Sequence, residues 1–238
     1  MLHVVERLSP NHDRRADGPI DILVMHYTGM RTAEEALARL CDPDAKVSAH
    51  YTVDREGAIY SHVPEDRRAR HAGVSYWAGT HDVNSRSIGI EIVNPGHEFG
   101  YIPFAGPQIE SVIALAHGIL VRHPAITSSR VIGHSDVAPN RKQDPGELFP
   151  WERLAREGIG IWVTASRGSH GEIGTAVSES HFADGLRQFG YGVPPDVDWP
   201  LADVVAAFQR HFRPSLINGI VDAECMGILE SILTNTDR

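Results

Sequence analysis

The sequence predicts an α/β protein whose sheet is layered with helices, followed by a small helical domain. Short apolar runs rich in β-branched residues alternate with longer segments of helical spacing, which is typical of this architecture. After Trp162 the composition changes to a Ser- and Gly-rich stretch. We therefore predict a first domain over 1–163, a linker over 164–175 and a helical domain over 176–238.

The first domain begins with a strand and a helix. Residues 20–26 are apolar and β-branched, and Tyr27-Thr28-Gly29 follows them, which predicts a buried strand with a polar tip. Thr32 and Glu35 form a capping-box pattern ahead of a helix that runs through Leu40.

Further elements follow at regular intervals. Two runs, 48–54 and 58–63, flank Arg55-Glu56-Gly57 and predict a hairpin with glycine in its loop. After a long loop, the patterns predict a strand at 87–93, a helix at 107–122 and a short strand at 131–134, and then C-terminal helices near 177–189, 201–212 and 222–233.

Composition excludes several classes of function. The chain carries 22 Lys and Arg against 31 Asp and Glu, a formal net charge of -9, so nucleic acid is not an expected partner. No apolar stretch approaches the length of a membrane span. The first seven residues lack the basic start and apolar run of a secretory signal, so the sequence predicts a cytoplasmic protein. The oligomeric state is not predicted.

Three residues have the chemistry of a metal site. His26 and His134 each end a predicted strand, and Asp144 follows ten residues after His134. Two imidazoles and one carboxylate can hold zinc and leave a fourth position for water. The chain has 14 histidines, however, so spacing alone leaves a structural or surface role open for each of them.

Two further residues could take part in chemistry. Glu91 lies within an apolar strand, where alternation groups it with Gly89 and Val93, and a carboxylate beside a metal-bound water can act as a general base. Its alternative is a solvated sheet face. Lys142 would point the same way as Asp144 in an extended segment and could stabilise an oxyanion, although its pattern fits an ordinary exposed lysine better.

In combination, these residues resemble a known family. The chain is similar to the AmpD/AmiD-type N-acetylmuramoyl-L-alanine amidases, which share a zinc amidase fold with peptidoglycan recognition proteins. The resemblance runs from about residue 20 to about residue 160. It is carried by Met25-His26-Tyr27-Thr28, Ser48-Ala49-His50-Tyr51, His71-Ala72-Gly73-Val74-Ser75, Ser87-Ile88-Gly89-Ile90-Glu91, Gly133-His134-Ser135-Asp136-Val137-Ala138-Pro139 and Arg141-Lys142-Gln143-Asp144-Pro145-Gly146.

The resemblance implies a mixed central β-sheet flanked by helices and a role for each matching residue. It implies that His26, His134 and Asp144 bind Zn²⁺, that Glu91 is the catalytic glutamate and that Lys142 stabilises the tetrahedral intermediate. The implied reaction is hydrolysis of the amide between N-acetylmuramic acid and L-alanine of a peptidoglycan stem peptide.

A second set of residues is expected to line the cleft and bind substrate. It consists of Tyr27, His50, His71, Trp77 and Asn84. Long loops often carry function, which favours the last three. The alternatives are core packing for the aromatic residues and loop capping for Asn84.

The C-terminal segment resembles a three-helix peptidoglycan-binding domain, through 206–214 and 218–224. Its alternative is a helical cap that only stabilises the catalytic domain. The predicted compartment favours soluble anhydro-muropeptides of cell-wall recycling as substrates. An amidase of polymeric peptidoglycan, a non-catalytic peptidoglycan sensor on the same fold and a zinc peptidase are the alternatives.

Overall fold

The computed structural model describes residues 3–163 and 178–236, and side chains as far as residue 234. The predicted linker over 164–175, and the first residues of the predicted helical domain, lie outside these ranges. The two domain boundaries therefore stay predictions. Within the described residues, no helix is both long and apolar enough to cross a membrane.

The strands and helices follow one another along the chain. The strands are β1 (Val4–Glu6), β2 (His12–Arg14), β3 (Ile22–Tyr27), β4 (Tyr51–Val53), β5 (Ile59–Ser61), β6 (Arg67–Ala69), β7 (Ser87–Ile92) and β8 (Val131–Gly133). The helices are α1 (Ala33–Cys41), α2 (Val83–Arg86), α3 (Gly96–Phe99), α4 (Gly106–Arg122), α5 (His134–Val137), α6 (Trp151–Arg156), α7 (Glu179–Phe189), α8 (Leu201–Phe212) and α9 (Ala223–Thr236).

Six strands form the mixed central sheet that the resemblance implied. Their order is β1-β5-β4-β7-β3-β8, and β2 pairs with β6 in a separate two-stranded ribbon. The hairpin pair β4–β5 is antiparallel, while β3 is parallel to β7 on one side and to β8 on the other. Parallel neighbours end at the same edge of a sheet, so the carboxyl ends of β3, β7 and β8 lie together.

Helices cover both faces of the sheet, and each face has its own apolar cluster. On one face, Leu23 and Met25 of β3 pack in one cluster with Val112 of α4 and Leu154 of α6. Alternation along a strand turns the next residues to the other face.

The C-terminal helices pack on that other face. Ile22 and Val24 of β3 share one buried cluster with Phe182 of α7, Phe208 of α8 and Ile228 of α9. Burying such a side chain contributes roughly 1.5–3 kcal/mol. The C-terminal helices therefore complete the core of the sheet and do not stand apart from it.

The helix α1 shows how local sequence sets an element's start. The Thr32 hydroxyl accepts a hydrogen bond from the Glu35 amide at 3.1 Å, as the capping pattern predicted. The second hydrogen bond of the capping box differs from the predicted one, because the Glu35 carboxylate accepts from the Arg31 amide instead of the Thr32 amide. On the inner face of the helix, the apolar residues Leu37 and Leu40 are buried.

Candidate active site

Parallel pairing places three of the predicted residues side by side. His26 and Glu91 are register partners on β3 and β7, and Met25 is the register partner of Gly133 on β8. The helix α5 starts directly after β8, and His134 is its first residue. His26, Glu91 and His134 therefore meet at the carboxyl edge of the sheet.

The three predicted metal ligands converge on one point. His26 Nδ1 lies 3.0 Å from His134 Nδ1 and 3.1 Å from Asp144 Oδ2, and His134 Nδ1 lies 3.0 Å from the same oxygen. All three side chains are buried. Among the described residues, they are the group of His, Cys, Asp and Glu side chains whose ligand atoms could hold a metal ion.

Hydrogen bonds around the two histidines fix which ring nitrogen carries the proton. The Ser87 hydroxyl donates to the Val83 carbonyl at 2.7 Å, so it accepts from His71 Nε2 at 3.1 Å. In neutral His71 the other nitrogen, Nδ1, is then bare and accepts from His26 Nε2 at 2.9 Å. The result is that His26 Nδ1 carries no proton.

The same reasoning holds for the second histidine. His134 Nε2 lies 3.1 Å from the Ala72 carbonyl oxygen, which can only accept, so Nε2 carries the proton and Nδ1 of the neutral ring is bare. Two bare nitrogens and a carboxylate oxygen thus face one another at hydrogen-bond distance. Such an arrangement of lone pairs can accommodate a cation. Two imidazoles and one carboxylate form a ligand set that suits zinc.

The environment of the site shifts the pKa values of His26, His71 and Asp144. Burial and the neighbouring His134 lower the pKa of His26 to about 4, against the opposing pull of Asp144. Burial likewise lowers the pKa of His71 well below its usual value. The pKa of Asp144 is also low: burial would raise it, but His134 and His26 outweigh burial. Near neutral pH the histidines His26 and His71 are uncharged and Asp144 is ionised.

Glu91, the register partner of His26, is half-buried. Its Oε2 atom is enclosed and makes no hydrogen bond within the described structure. Burial, reinforced by the Asp144 carboxylate, raises the pKa of Glu91 well above its usual value, and Lys142 opposes the rise. A carboxyl group with a raised pKa and a free oxygen suits a role in proton transfer.

The segment that carries Lys142 and Asp144 is held against the loop of residues 71–75. The Arg141 guanidinium donates hydrogen bonds to the carbonyl oxygens of Ala72 and Val74. The Ser135 amide donates to the Asp144 carbonyl at 2.8 Å. The Arg141 and Lys142 amides also donate to the Ala138 carbonyl, and together these bonds hold the segment around Lys142, which lines the cleft.

A cleft of about 590 Å³ opens at His134 and Asp144 of the group that could hold a metal ion. Of the residues expected in the site, it is lined by Tyr27, His71, Glu91, His134, Lys142 and Asp144. Sequence reasoning missed further lining residues, including Arg39, Arg70, His97, Glu98 and Arg141. A cleft of this size is ample for a small peptide or sugar conjugate.

One rim of the cleft is a chain of hydrogen bonds that connects the end of β3 and the helix α3 to the loop after Asp144. The Tyr27 hydroxyl lies 2.9 Å from His97 Nδ1, and His97 Nε2 lies 3.1 Å from the Glu147 carboxylate. Tyr101 stacks on His97 and donates its hydroxyl proton to the Pro145 carbonyl at 2.6 Å. This chain braces the loop that follows Asp144. The sequence holds no periodic signal for it, because Tyr27 ends β3, His97 lies in the four-residue helix α3, and Tyr101 and Glu147 lie outside the helices and strands.

Three residues expected in the cleft lie elsewhere, and the expectation that they line it is corrected. His50 is fully buried: its Nδ1 accepts from the Gly89 amide at 3.0 Å, and its Nε2 lies beside Arg15. Asn84 is also buried, and its side-chain oxygen accepts from the His71 and Ala72 amides. Both residues support the loop that presents His71.

Trp77 belongs to the interface with the C-terminal helices. Its side chain is 1% exposed and packs edge-to-face on Phe189 and Tyr191. The tight approach of Gly190 leaves no room for a Cβ, which would lie 2.8 Å from the indole. Core packing, the alternative stated for the aromatic residues, therefore describes Trp77.

Comparisons with known proteins agree with this geometry. The N-acetylmuramoyl-L-alanine amidase family matches residues 16–147. The chain is 40% identical to the N-acetylmuramoyl-L-alanine amidase AmiD of Escherichia coli K12 over 232 residues, which cover 90% of this chain and 82% of AmiD. It is 36% identical to the 1,6-anhydro-N-acetylmuramyl-L-alanine amidase AmpD of Enterobacter cloacae over 61% of this chain and 85% of AmpD.

Solved structures give the same assignment. The complex of E. coli AmiD with the substrate anhydro-N-acetylmuramic acid-L-Ala-D-γ-Glu-L-Lys superposes with a TM-score of 0.81 at 39% identity, covering 92% of this chain and 91% of AmiD. AmpDh3 of Pseudomonas aeruginosa in complex with anhydromuramic pentapeptide gives 0.83 at 34% identity, covering 93% and 96%. With its sheet, its cleft and its paired histidines and aspartate all accounted for, the chain belongs to the N-acetylmuramoyl-L-alanine amidase family.

Proposed function

We propose that the protein is a zinc-dependent amidase that hydrolyses the bond between the lactyl carbonyl of N-acetylmuramic acid and L-alanine of the stem peptide, with anhydro-muropeptides as substrates. One observation carries the proposal. The bare Nδ1 atoms of His26 and His134 converge with Asp144 Oδ2 beside the unpartnered Oε2 of Glu91. That arrangement supplies a cation site and a proton acceptor next to each other.

His26, His134 and Asp144 are the proposed zinc ligands. These residues would hold the ion, which would supply a water whose pKa is lowered to about 7 and would polarise a carbonyl. The protein's own contribution is to hold the ligands still. His71 and the Ala72 carbonyl fix the orientation of the two imidazoles through their second ring nitrogens.

Glu91 is the proposed general base and then general acid. Its Oε2 takes a proton from the attacking water and returns it to the nitrogen of the departing alanine, so that the leaving group departs as an amine. The raised pKa of Glu91 supports this cycle, because a more basic carboxylate takes up the proton of water more readily. Register pairing with His26 keeps Glu91 at the same level of the sheet as the ligands.

Lys142 is the proposed electrostatic partner of the negative charge that develops on the carbonyl oxygen. It lines the cleft and lies between Arg141 and Asp144 in sequence. Hydrogen bonds of the Arg141 side chain and of the Asp144 carbonyl hold this segment in place. A preorganised cation in this position stabilises the tetrahedral intermediate more than the neutral substrate. Tyr27 and His71, which also line the cleft, are the proposed substrate contacts.

The substrate class is supported by the relatives. The AmiD and AmpDh3 structures hold an anhydro-muramyl tripeptide and an anhydromuramic pentapeptide. A role in recycling such soluble fragments is preferred over cleavage of polymeric peptidoglycan. The predicted cytoplasmic location belongs to this proposal, and fractionation of cells that express the native gene checks it.

Product identification tests the proposed function. The purified protein is incubated with anhydro-N-acetylmuramyl tripeptide and, in parallel, with sacculi, and the products are analysed by mass spectrometry. We expect intact stem peptide and free anhydro-N-acetylmuramic acid, loss of activity after chelation and recovery after zinc is returned. A shortened stem peptide would indicate a peptidase, and a zinc-loaded protein that releases nothing from either substrate would indicate a sensor. Faster release from sacculi would favour the polymeric substrate.

A further inference from the structure

We propose that the C-terminal helices hold the zinc-ligand segment in place, and that Tyr191 and His211 are positioning residues which act through Asp136. The inference rests on the proposed zinc site. It assigns the C-terminal region a part in building the active site, in addition to any contact it makes with peptidoglycan.

Asp136 is a completely buried carboxylate whose two oxygens accept from both parts of the chain. Its Oδ1 accepts from the Tyr191 hydroxyl at 2.7 Å, and its Oδ2 accepts from His211 Nδ1 at 2.7 Å. Oδ2 also accepts from the Gly133 amide at 2.7 Å. The relative exposure of Asp136 is 0%, so water does not take the place of these donors. Two of the three donors come from the C-terminal region.

His211 is held in a fixed orientation by the rings on both of its faces. Its ring stacks on Trp151 with centroids 3.9 Å apart and planes at 18°, and on Phe212 with centroids 4.0 Å apart and planes at 2°. Trp151 belongs to α6 in the catalytic part, and Phe212 ends α8. The stack therefore aims Nδ1 of His211 at Asp136 and joins α8 to the catalytic part.

Asp136 connects directly to the segment that presents the ligands. It lies two residues after His134 on the short helix α5, and it accepts from the amide of Gly133, the residue just before that ligand. A Cβ on Gly133 would lie 2.7 Å from Pro145, so this backbone and the segment after Asp144 are in close contact. A shift of α5 would move His134 and disturb the Ser135–Asp144 backbone bond.

The consequence is a mechanical link from the C-terminal helices to the metal site. A buried carboxyl group that loses a donor must move or find another partner, because an unsatisfied buried polar group is costly. The movement available to Asp136 is a movement of α5. Loss of an outer contact of a metal site typically weakens metal binding by 10–100-fold. Asp136 touches the backbone next to a ligand and not the ligand ring, so about 10-fold is expected.

The test compares zinc affinities in the full chain by competition with a chromogenic chelator, which needs no turnover. Tyr191→Phe removes only the hydroxyl, and His211→Leu removes the donor to Oδ2. His211→Asn keeps an N–H donor near the position of Nδ1. Gln209→Ala is the matched control, because Gln209 is buried on the same helix but bonds to Asn218 and to the Ile220 carbonyl, not to Asp136.

We expect Tyr191→Phe and His211→Leu each to raise the zinc Kd about 10-fold, with His211→Asn closer to wild type. Gln209→Ala should lower the melting temperature and leave the zinc Kd unchanged. Unchanged zinc affinity in folded Tyr191→Phe would overturn the proposal, as would an equal loss of affinity in Gln209→Ala. If His211→Leu does not fold, Tyr191→Phe still decides. A failure of amidase activity would leave these affinities measurable, so the two proposals fail separately.

Discussion

His26 Nε2 lies 2.9 Å from His71 Nδ1, and this contact decides which nitrogen of His26 faces the proposed metal site. The hydrogen bond that His71 Nε2 donates to the Ser87 hydroxyl sets the donor-to-acceptor direction of these linked hydrogen bonds. Orientation of a ligand histidine by a partner on its second nitrogen is the usual way in which proteins fix a metal ligand. His71 thus has a role that its place in a loop motif did not reveal.

His71→Ala should weaken zinc binding by about 10–100-fold, because His26 loses the acceptor that fixes its tautomer and orientation. The zinc Kd, measured by chelator competition, checks this. His123→Ala is the control, since that imidazole bonds to Glu65, which is not a ligand. Wild-type affinity in folded His71→Ala would contradict the role given to His71.

Gly89→Ala should have a similar effect by a different route. A Cβ at this position would lie 2.5 Å from His71 Cγ, so the imidazole has to move away from β7. We expect weaker zinc binding than in wild type, measured by the same competition. A structure of the variant with His71 unmoved and zinc affinity unchanged would show that the space at Gly89 is not needed for the site.

Glu91→Gln should keep zinc and lose turnover by about 10²–10⁴-fold, because the amide cannot accept the proton of the attacking water. Zinc content by elemental analysis and kcat on anhydro-muropeptide are measured together. Retained zinc with lost turnover is the expected pair of results. A kcat near that of wild type would remove Glu91 from the mechanism, and lost zinc would make it a ligand.

Lys142→Met should lower kcat by about 10²–10³-fold and change KM little, because its ammonium stabilises charge that is absent from the bound substrate. Arg39→Ala is a useful comparison, since Arg39 is another cation that lines the cleft. We expect the Arg39 variant to raise KM more than it lowers kcat. If Lys142→Met raised KM alone, Lys142 would be a binding residue.

Glu65 should make stability depend on acid pH. Burial would raise the pKa of Glu65, but hydrogen bonds from Arg122, His123 and Tyr51 outweigh it and lower the pKa to about 2, from a usual value of 4.5. A group whose folded-state pKa is depressed stabilises the fold above its unfolded-state pKa, and this stabilisation is lost as the pH falls through its folded-state pKa. The free energy of unfolding should therefore fall between about pH 4.5 and pH 2.

The contribution is about 2 kcal/mol, after allowance for solvent screening of this partly exposed group. Denaturant unfolding across the pH range measures it in wild type and in Glu65→Gln. The variant should be less stable near neutral pH, and its stability should fall less between pH 4.5 and pH 2. Parallel curves for the two proteins would show that Glu65 is not the group responsible.

Much of the site's position follows from the sequence. The apolar strand runs predict β3, β7 and β8, and His26 and Glu91 lie near the carboxyl ends of two of them. Parallel pairing then brings those ends together. The grouping of Glu91 with Gly89 and Val93 argued against a solvated sheet face, and Glu91 indeed turns its Oε2 into the protein.

Other features depend on tertiary packing that has no local signal. Trp77 and His50 look like cleft residues in the sequence. Packing places Trp77 against the C-terminal region and His50 beside Arg15. The contact from His211 to Asp136 spans 75 positions and has no periodicity to predict it. Three-residue strands such as β1 and β6 are too short for an alternation pattern.

Hydrolysis in water labelled with heavy oxygen tests the central claim most directly, because it identifies both the bond that is cut and the atom that water attacks. Anhydro-N-acetylmuramyl tripeptide is incubated with the zinc-loaded protein in the labelled water, and the masses of both products are measured by mass spectrometry. The account predicts one heavy oxygen in the carboxylate of the muramic acid product and none in an intact stem peptide that starts with L-alanine. Label in a shortened peptide, or no cleavage by protein that retains zinc, would contradict it.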